Sequence, residues 1–286
     1  MKFGISIPNN QGIASVRALA EGAAEAEALG YDSVWVSEHL FHASYVAARL
    51  GDRSYHEALV VLTAAAMLTS RVRLGTSVLV LPWHHPARLA KQVASLDQLS
   101  GGRVTLGVGV AQTPDEFANL GVPYAERGAL TDETIDAMRC LWTQDLPEFA
   151  GSRYAFSGLR FAPKPLQAHL PILIGGNSPR ALRRVREKGD GWHAMSLSVN
   201  EVRAALPGAG GKPCSIRLVL EFVDTPPTRD IHERRTLKGT AEEIRAMVRG
   251  YAEAGVEEIV IDVNSPDLGA TRSACARFQS EITATL

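Results

Sequence analysis

The sequence predicts an α/β fold, a single (β/α)8 (TIM) barrel running through residues 1–286 as one domain. Three observations predict it. Eight short runs of β-branched and apolar residues alternate with stretches of helical periodicity along the whole chain. No shift in composition separates one part from another. Polar side chains stand just past the ends of those runs, where a barrel gathers its loops into one mouth. A doubly wound sheet is the competing architecture, and the strand count speaks against it.

The elements follow in order. Phe3 to Ile7 reads as the first strand; Val16, Leu19, Ala20, Ala23 and Ala26 then share one helical face, with Gly30 as the stop. The second strand begins at Tyr31 and its apolar run stops at Glu38 and His39. Residues 40–56, small and polar and carrying His42, Arg49, Arg53 and His56, read as loop. A helix from about Glu57 to Leu68 leads into a third strand, 72–81. Pro86 suits the first position of the next helix, which is expected to bury Leu89, Val93, Leu96 and Leu99 and to end at Gly101-Gly102. Val104 to Val110 is the fourth strand.

Residues 112–170 break the rhythm. They hold one helix, about Glu126 to Trp142 with Ile135, Met138 and Leu141 inward, and then a stretch rich in Gly, Tyr, Phe and Pro from Gly151 to Gln167. That is an excursion after strand four, too long for a simple connection. The alternation resumes at Pro171 to Gly175, followed by a helix capped by Ser178 and opened by Pro179. Gly191 to Met195 is a weak strand, 200–206 a short helix and 216–222 the seventh strand. The segment 224–239, with Pro226-Pro227 and many charges, reads as a long mobile loop. Thr240-x-x-Glu243 forms a capping box for a helix that turns Ile244, Met247, Val248 and Tyr251 inward and stops at Gly255. Ile259 to Ile261 is the eighth strand, and a helix fills 268–284.

Composition excludes several classes. A net charge of -1 gives no footprint for nucleic acid or an anionic membrane. No apolar run approaches the ~20 residues needed to span a bilayer, and the opening residues lack a secretory h-region. Cys140, Cys214 and Cys275 are odd in number and widely spaced, which argues for a reducing compartment, a cytoplasmic location and core packing rather than a zinc or disulfide framework.

On a barrel, chemistry sits past the C-terminal strand ends. That rule singles out Asn9 and Asn10; Glu38 and His39; Ser77 with the turn Trp83-His84-His85; and Gly107, Gly109, Gln112 and Asp115. It also singles out Gly175, Gly176, Asn177 and Ser178, then His193, Glu221, Asp262 and Asn264. His39 is the natural proton carrier near neutral pH, the bland alternative being a strand-capping histidine. Gly175 to Ser178 joins two glycines to a helix N-terminus, a setting for a phosphate, and Arg180, Arg183 and Arg184 add charge for an anionic tail. Gly107-x-Gly109 lacks the third glycine of a dinucleotide fingerprint and is read as a seat for the flat face of a ligand. Adjacent His84 and His85 diverge on a turn, so no metal is expected. Neither a nucleophile elbow nor a Walker loop occurs.

In order and spacing the chain resembles the bacterial luciferase-like superfamily of flavin- and deazaflavin-dependent oxidoreductases. The marks are Ser33-Val34-Trp35-Val36 before Glu38-His39, then Leu74-Gly75-Thr76-Ser77-Val78-Leu79, then Gly101 to Gly109. Further on come Asp115-Glu116-Phe117, Leu120 to Pro123, Pro163-Lys164-Pro165, Pro171 to Gly176 and Gly189-Asp190-Gly191-Trp192. The resemblance implies a cofactor ring at the barrel mouth, with His39 beside it as acid/base or hydrogen-bond partner and Glu38 at its side. It implies cofactor contacts from Thr76, Ser77, Val78, Gly107, Gly109 and Gln112, a non-prolyl cis bond at Ser77-Val78, and a phosphate site at Gly175, Gly176, Asn177 and Ser178. One departure matters: a deazaflavin-dependent sugar-phosphate dehydrogenase branch has a glutamate acid where this chain has Gln112, and an amide carries no full proton. The style of the chain is closer to the coenzyme F-420 branch, so the resemblance implies hydride transfer between reduced F-420 and a small organic substrate. An FMN-dependent monooxygenase and a non-catalytic flavin-binding protein are the alternatives. A homodimer is implied as well. The substrate is expected against loops 40–56, 112–125 and 224–239.

Overall fold

The computed structural model describes residues 1–225 and 227–286, the side chain of Ser44 excepted. Its barrel strands are β1 (Lys2–Ser6), β2 (Ser33–Val36), β3 (Arg73–Thr76), β4 (Val104–Gly109), β5 (Ile172–Gly175), β6 (Gly191–Met195), β7 (Cys214–Phe222) and β8 (Glu258–Asp262). Each pairs in parallel with the next, and β8 pairs with β1, so the sheet closes into the expected (β/α)8 barrel. The helices are α1 (Val16–Ala28), α2 (Ser44–Leu50), α3 (Ala58–Leu68), α4 (Pro86–Ser100), α5 (Pro114–Asn119), α6 (Arg127–Thr143), α7 (Pro179–Lys188), α8 (Val199–Ala205), α9 (Ala241–Glu253) and α10 (Leu268–Glu281).

Strand alternation divides the side chains between two cores. Outward residues meet the helices, as where Phe3 of β1 packs edge-on against Phe278 of α10 at 5.5 Å. Inward, Trp35 plugs the barrel: a Cβ on Gly75 would lie 2.3 Å from its ring, and one on Gly4 would lie 2.8 Å from its Nε1. The ring of Trp35 stacks on His193 at 4.8 Å and 11°. His193 is fully enclosed, its two nitrogens each 2.7 Å from a serine hydroxyl, Ser77 Oγ and Ser215 Oγ. Burial, reinforced by the charge of Arg217, lowers its pKa to about 3, so it is a neutral ring at physiological pH.

The caps read from sequence are present. Ser178 accepts from Ala181 N, Thr240 and Glu243 close a reciprocal capping box, and Gly101 ends α4 in the left-handed region. Four expectations need correction. Leu99 is 48% exposed, because the inward face of α4 runs through Leu89, Val93, Leu96 and Ser100, the spacing of a 3.6-residue turn. Residues 40–56 are not all loop: α2 lies among them, with Val46 and Leu50 buried one turn apart, a pattern too short to stand out in sequence. The third strand is interrupted, β3 ending at Thr76 and Leu79–Val80 pairing separately with β4. Residues 227–239 are tied down rather than loose. Leu237–Gly239 adds a strand beside β7, and the buried Arg234 donates to the carbonyls of Pro227, Arg229 and Lys238 and pairs with Glu243. Pro226 lies outside the described residues. In the excursion, α5 and an antiparallel pair, Phe149–Ala150 with Ala155–Phe156, supply structure that the spacing left unassigned. No helix among the described residues is long and apolar enough to cross a membrane.

Two measurements check this packing. A Cβ at Gly107 would sit 1.9 Å from the Thr76 carbonyl oxygen, whereas Gly22 in α1 has nothing within 4 Å. Gly107→Ala is therefore expected to cost about 3 kcal/mol in urea unfolding and Gly22→Ala to add about 0.5–1 kcal/mol; equal effects would contradict the assigned packing. The pH dependence of stability tests His193. Because its folded pKa is far below the value of about 6.5 in the unfolded chain, the unfolded state takes up the extra proton. Stability should fall by about 1.4 kcal/mol per pH unit from roughly 6.5 toward 3, a slope that His193→Asn should lose.

Candidate active site

β2 delivers Glu38 and His39 to the mouth, where they face different partners. His39 Nδ1 lies 2.6 Å from Glu116 Oε2, and His39 Nε2 lies 2.7 Å from the Tyr45 hydroxyl. Glu116, on α5, is completely buried. It also accepts from the Thr113 hydroxyl at 2.8 Å and from the backbone N–H groups of Leu40 and Phe41 at 3.0 and 3.1 Å. Burial alone would raise its pKa, but the hydrogen bonds from His39, Thr113 and Phe41 outweigh it and hold the carboxyl below the usual range. A charged acceptor at Nδ1 fixes that nitrogen as the N–H, so Nε2 is the one turned toward Tyr45. The rings of Tyr45, Tyr55 and Trp83 surround the imidazole at 5.5, 5.6 and 6.0 Å.

Glu38, expected at the side of His39, is engaged elsewhere. Its carboxylate accepts from Val80 N at 2.7 Å and from His84 Nε2 at 2.9 Å. Burial works against a charge on His84, yet the bond and charge of Glu38 prevail and raise its pKa. Glu38 is thus an anchor for the segment after β3, with His84 as its hydrogen-bond partner.

That segment forms the floor of the mouth. The Ser77-Val78 peptide is cis. Ser77 N donates to Val36 O at 2.6 Å, Ser77 Oγ meets His193, and Ser77 O accepts from Arg217 Nη1 at 3.1 Å. Arg217 is held in turn by Asp262 at 2.6 Å. Thr76 and Ser77 beneath it are buried, while Val78 keeps part of its surface open. The Val78 methyls come within 2.7 Å of where a Cβ on Gly109 or Gly175 would lie. Gly107 and Gly109 thus also make room for residues 76–78.

At the start of α7, Gly176 has φ +112°, a conformation that favours glycine. The side chain of Asn177 is tied to Met195 O at 2.7 Å and that of Ser178 to its cap, so what this turn offers an anion is the leading backbone N–H groups of the helix. Arg184 points away, buried against Asp132, and Arg183 pairs with Glu187; Arg180 is exposed.

The other candidates divide plainly. Asn9 ties Ser37 O to His56 O, Asn10 is buried, Asn264 accepts from Gln11, and Glu221 pairs with Lys238 at the surface. His85 caps α4, Gln112 is exposed after Ala111 at φ +54°, and Asp115 stands one residue from Glu116 in the first turn of α5. Among the described residues no three His, Cys, Asp or Glu side chains gather where they could hold a metal. Sequence reasoning missed Glu116, Tyr45, Tyr55 and Arg217. Thr113-x-x-Glu116 has the spacing of a capping box, which disguises Glu116 as a cap, whereas Arg217 was visible as a charge inside the apolar run Ile216 to Leu220.

A family model described as luciferase-like monooxygenase matches residues 1–209. An uncharacterised protein of Mycobacterium tuberculosis is 37% identical over 185 residues, 60% of this chain and 66% of that protein. An F-420-dependent glucose-6-phosphate dehydrogenase of Amycolatopsis mediterranei is 36% identical over 191 residues, 63% of this chain and 54% of that enzyme. An FMNH(2)-dependent dimethylsulfone monooxygenase of Pseudomonas putida is 31% identical over 196 residues, 65% of this chain and 52% of that enzyme. The chain thus matches two thirds or less of the length of these relatives. Among solved structures, the monooxygenase RslO1 of Streptomyces bottropensis superposes with a TM-score of 0.82 at 23% identity, covering 100% of this chain and 99% of that one. The coenzyme F-420-dependent tetrahydromethanopterin reductase of Methanopyrus kandleri does so with 0.79 at 17% identity, covering 99% of each chain. At such identities these two speak for the fold.

Glu116→Gln is the test of the pair. It is expected to lower stability at pH 7 by about 1–3 kcal/mol, since an amide replaces a carboxylate that four donors address. Because the folded pKa of Glu116 lies below its unfolded value, this contribution is present at neutral pH and disappears as the pH falls through the carboxylate range. In nitrogen-15 NMR the wild-type His39 should be the Nδ1–H tautomer and the variant a mixture. A single unchanged tautomer in the variant would remove Glu116 as its cause.

Proposed function

Because the chain belongs to the luciferase-like monooxygenase family, we propose that it is an oxidoreductase that binds coenzyme F-420 at the barrel mouth and acts on a small organic substrate there. The observation that carries this reading is His39, held in one tautomer by Glu116 at the open end of the barrel, above a floor made by Val78. The residues fit such a cofactor. Val78 offers an apolar surface beside a ring of aromatic side chains, and the glycine turn at Gly176 leads into a helix with free N–H groups for a phosphate. When bound, the deazaflavin supplies or accepts the hydride.

The chain's own residues carry the rest. His39 Nε2 is the nitrogen available to a substrate oxygen, and it holds or moves the proton there. Glu116 steadies the imidazolium; enclosed by four donors, it positions His39 and exchanges no proton with substrate. The neutral His193 and the Arg217–Asp262 pair fix Ser77 without adding a second acid. Gln112 holds no full proton, so His39 is the single proton carrier of the reading. The F-420-dependent relative from Amycolatopsis mediterranei, at 36% identity, supports the choice of cofactor. The FMNH(2)-dependent relative from Pseudomonas putida, at 31%, favours the second reading, an FMN-dependent monooxygenase. One domain, a cytoplasmic location and a homodimer complete the proposal.

Paired fluorescence titrations with F-420 and FMN decide between the two. Micromolar binding of F-420 with FMN ignored is the expected result; FMN binding alone would move the assignment to the monooxygenase, and binding of neither would sink both. His39→Ala should keep F-420 affinity within a few-fold while turnover drops about 10²–10⁴-fold.

A further inference from the structure

Helix α2 carries Tyr45 and Arg49 four residues apart, on one face. That face looks into the mouth, since the Tyr45 hydroxyl lies 2.7 Å from His39 Nε2. Arg49 and Arg217 both lie within electrostatic reach of the Tyr45 and Tyr55 hydroxyls. The two guanidiniums differ in one respect. Arg217 is neutralised by Asp262 and donates to Ser77 O. The half-buried Arg49 side chain has no carboxylate, carbonyl or ring partner among the described residues, and its Nε is fully enclosed.

The ordinary role for an arginine in the last turn of a helix is to meet the terminal carbonyls. Here Arg53 fills it, donating through Nη2 to Arg49 O at 2.8 Å and through Nε to Leu50 O at 3.2 Å. An enclosed Nε–H without a partner is destabilising, and a planar carboxylate satisfies it together with a neighbouring Nη–H through two parallel hydrogen bonds. We infer that Arg49 is the anion-binding element of the substrate site, and that the substrate is a short oxo acid. Its carboxylate pairs with Arg49 while its carbonyl oxygen, displacing the Tyr45 hydroxyl, accepts from Nε2 of the His39 imidazolium. The Cβ atoms of residues four apart on a helix are roughly 6 Å from one another, which suits a carboxylate two or three carbons from the carbonyl. This inference rests on the function proposed above for the same site.

The test is calorimetric titration with 4-oxopentanoate and with 2-pentanone, which share a methyl ketone and differ in the carboxylate, on the protein alone and after loading with F-420. The expected result is at least tenfold tighter binding of the acid, a preference abolished by Arg49→Met and partly kept by Arg49→Lys, with melting curves showing both variants folded. Absence of a preference for the acid in the wild type, or its persistence in Arg49→Met, overturns the inference. So does a fall in F-420 affinity in Arg49→Met without any effect on the acid, which would assign Arg49 to the cofactor tail. If the protein alone binds the acid through Arg49 and binds neither F-420 nor FMN, the subsite stands and the cofactor reading fails.

Discussion

The mouth of this barrel depends on how residues 76–80 are seated. Their polar atoms are met by groups from four barrel strands or the loops that follow them. Val36 O, His193, Arg217 and Gly107 O hold Thr76 and Ser77, and Glu38 holds Val80. The side chains among those groups are themselves satisfied, His193 by Ser215, Arg217 by Asp262 and Glu38 by His84. With its main chain secured from beneath, the segment presents one apolar side chain, Val78, upward. Three glycines, Gly107, Gly109 and Gly175, are needed because the segment occupies the volume their side chains would take.

Charge at the mouth is organised in compensated pairs. Glu116 and His39, Glu38 and His84, and Arg217 and Asp262 each place opposite or hydrogen-bonded partners within 3 Å. A buried charge without such a partner is costly, so these pairings account for the carboxylates and cations near the barrel axis. Arg49 departs from the pattern: among the described residues its guanidinium meets no carboxylate.

The same pairings separate residues that look equivalent in sequence. Glu38 and His39 are neighbours, yet one serves the floor and the other the open site, because the chain leaves β2 between two crowded loops. Glu116 is remote in sequence and touches His39 only because α5, the first element of the excursion, folds back over β2. Its four donors come from residues 39–41 and 113, so the loop after β2 and the loop after β4 are locked together at the point where a proton carrier is needed.

The sequence by itself determined the barrel, the order of its strands, the caps of α7 and α9, and the presence of His39 past β2. These follow from periodicity, from capping side chains and from the rule that places polar residues past strand ends, all of which act within a few residues of chain. It misplaced Leu99 by one position on a helical face and read α2 as loop. Only the tertiary structure decided that Glu116 orients His39, that Glu38 turns to His84, and that Arg49 meets no carboxylate among the described residues. Those facts depend on contacts between segments as many as 77 residues apart, such as His39 with Glu116, and local propensity carries no information about which distant side chain arrives.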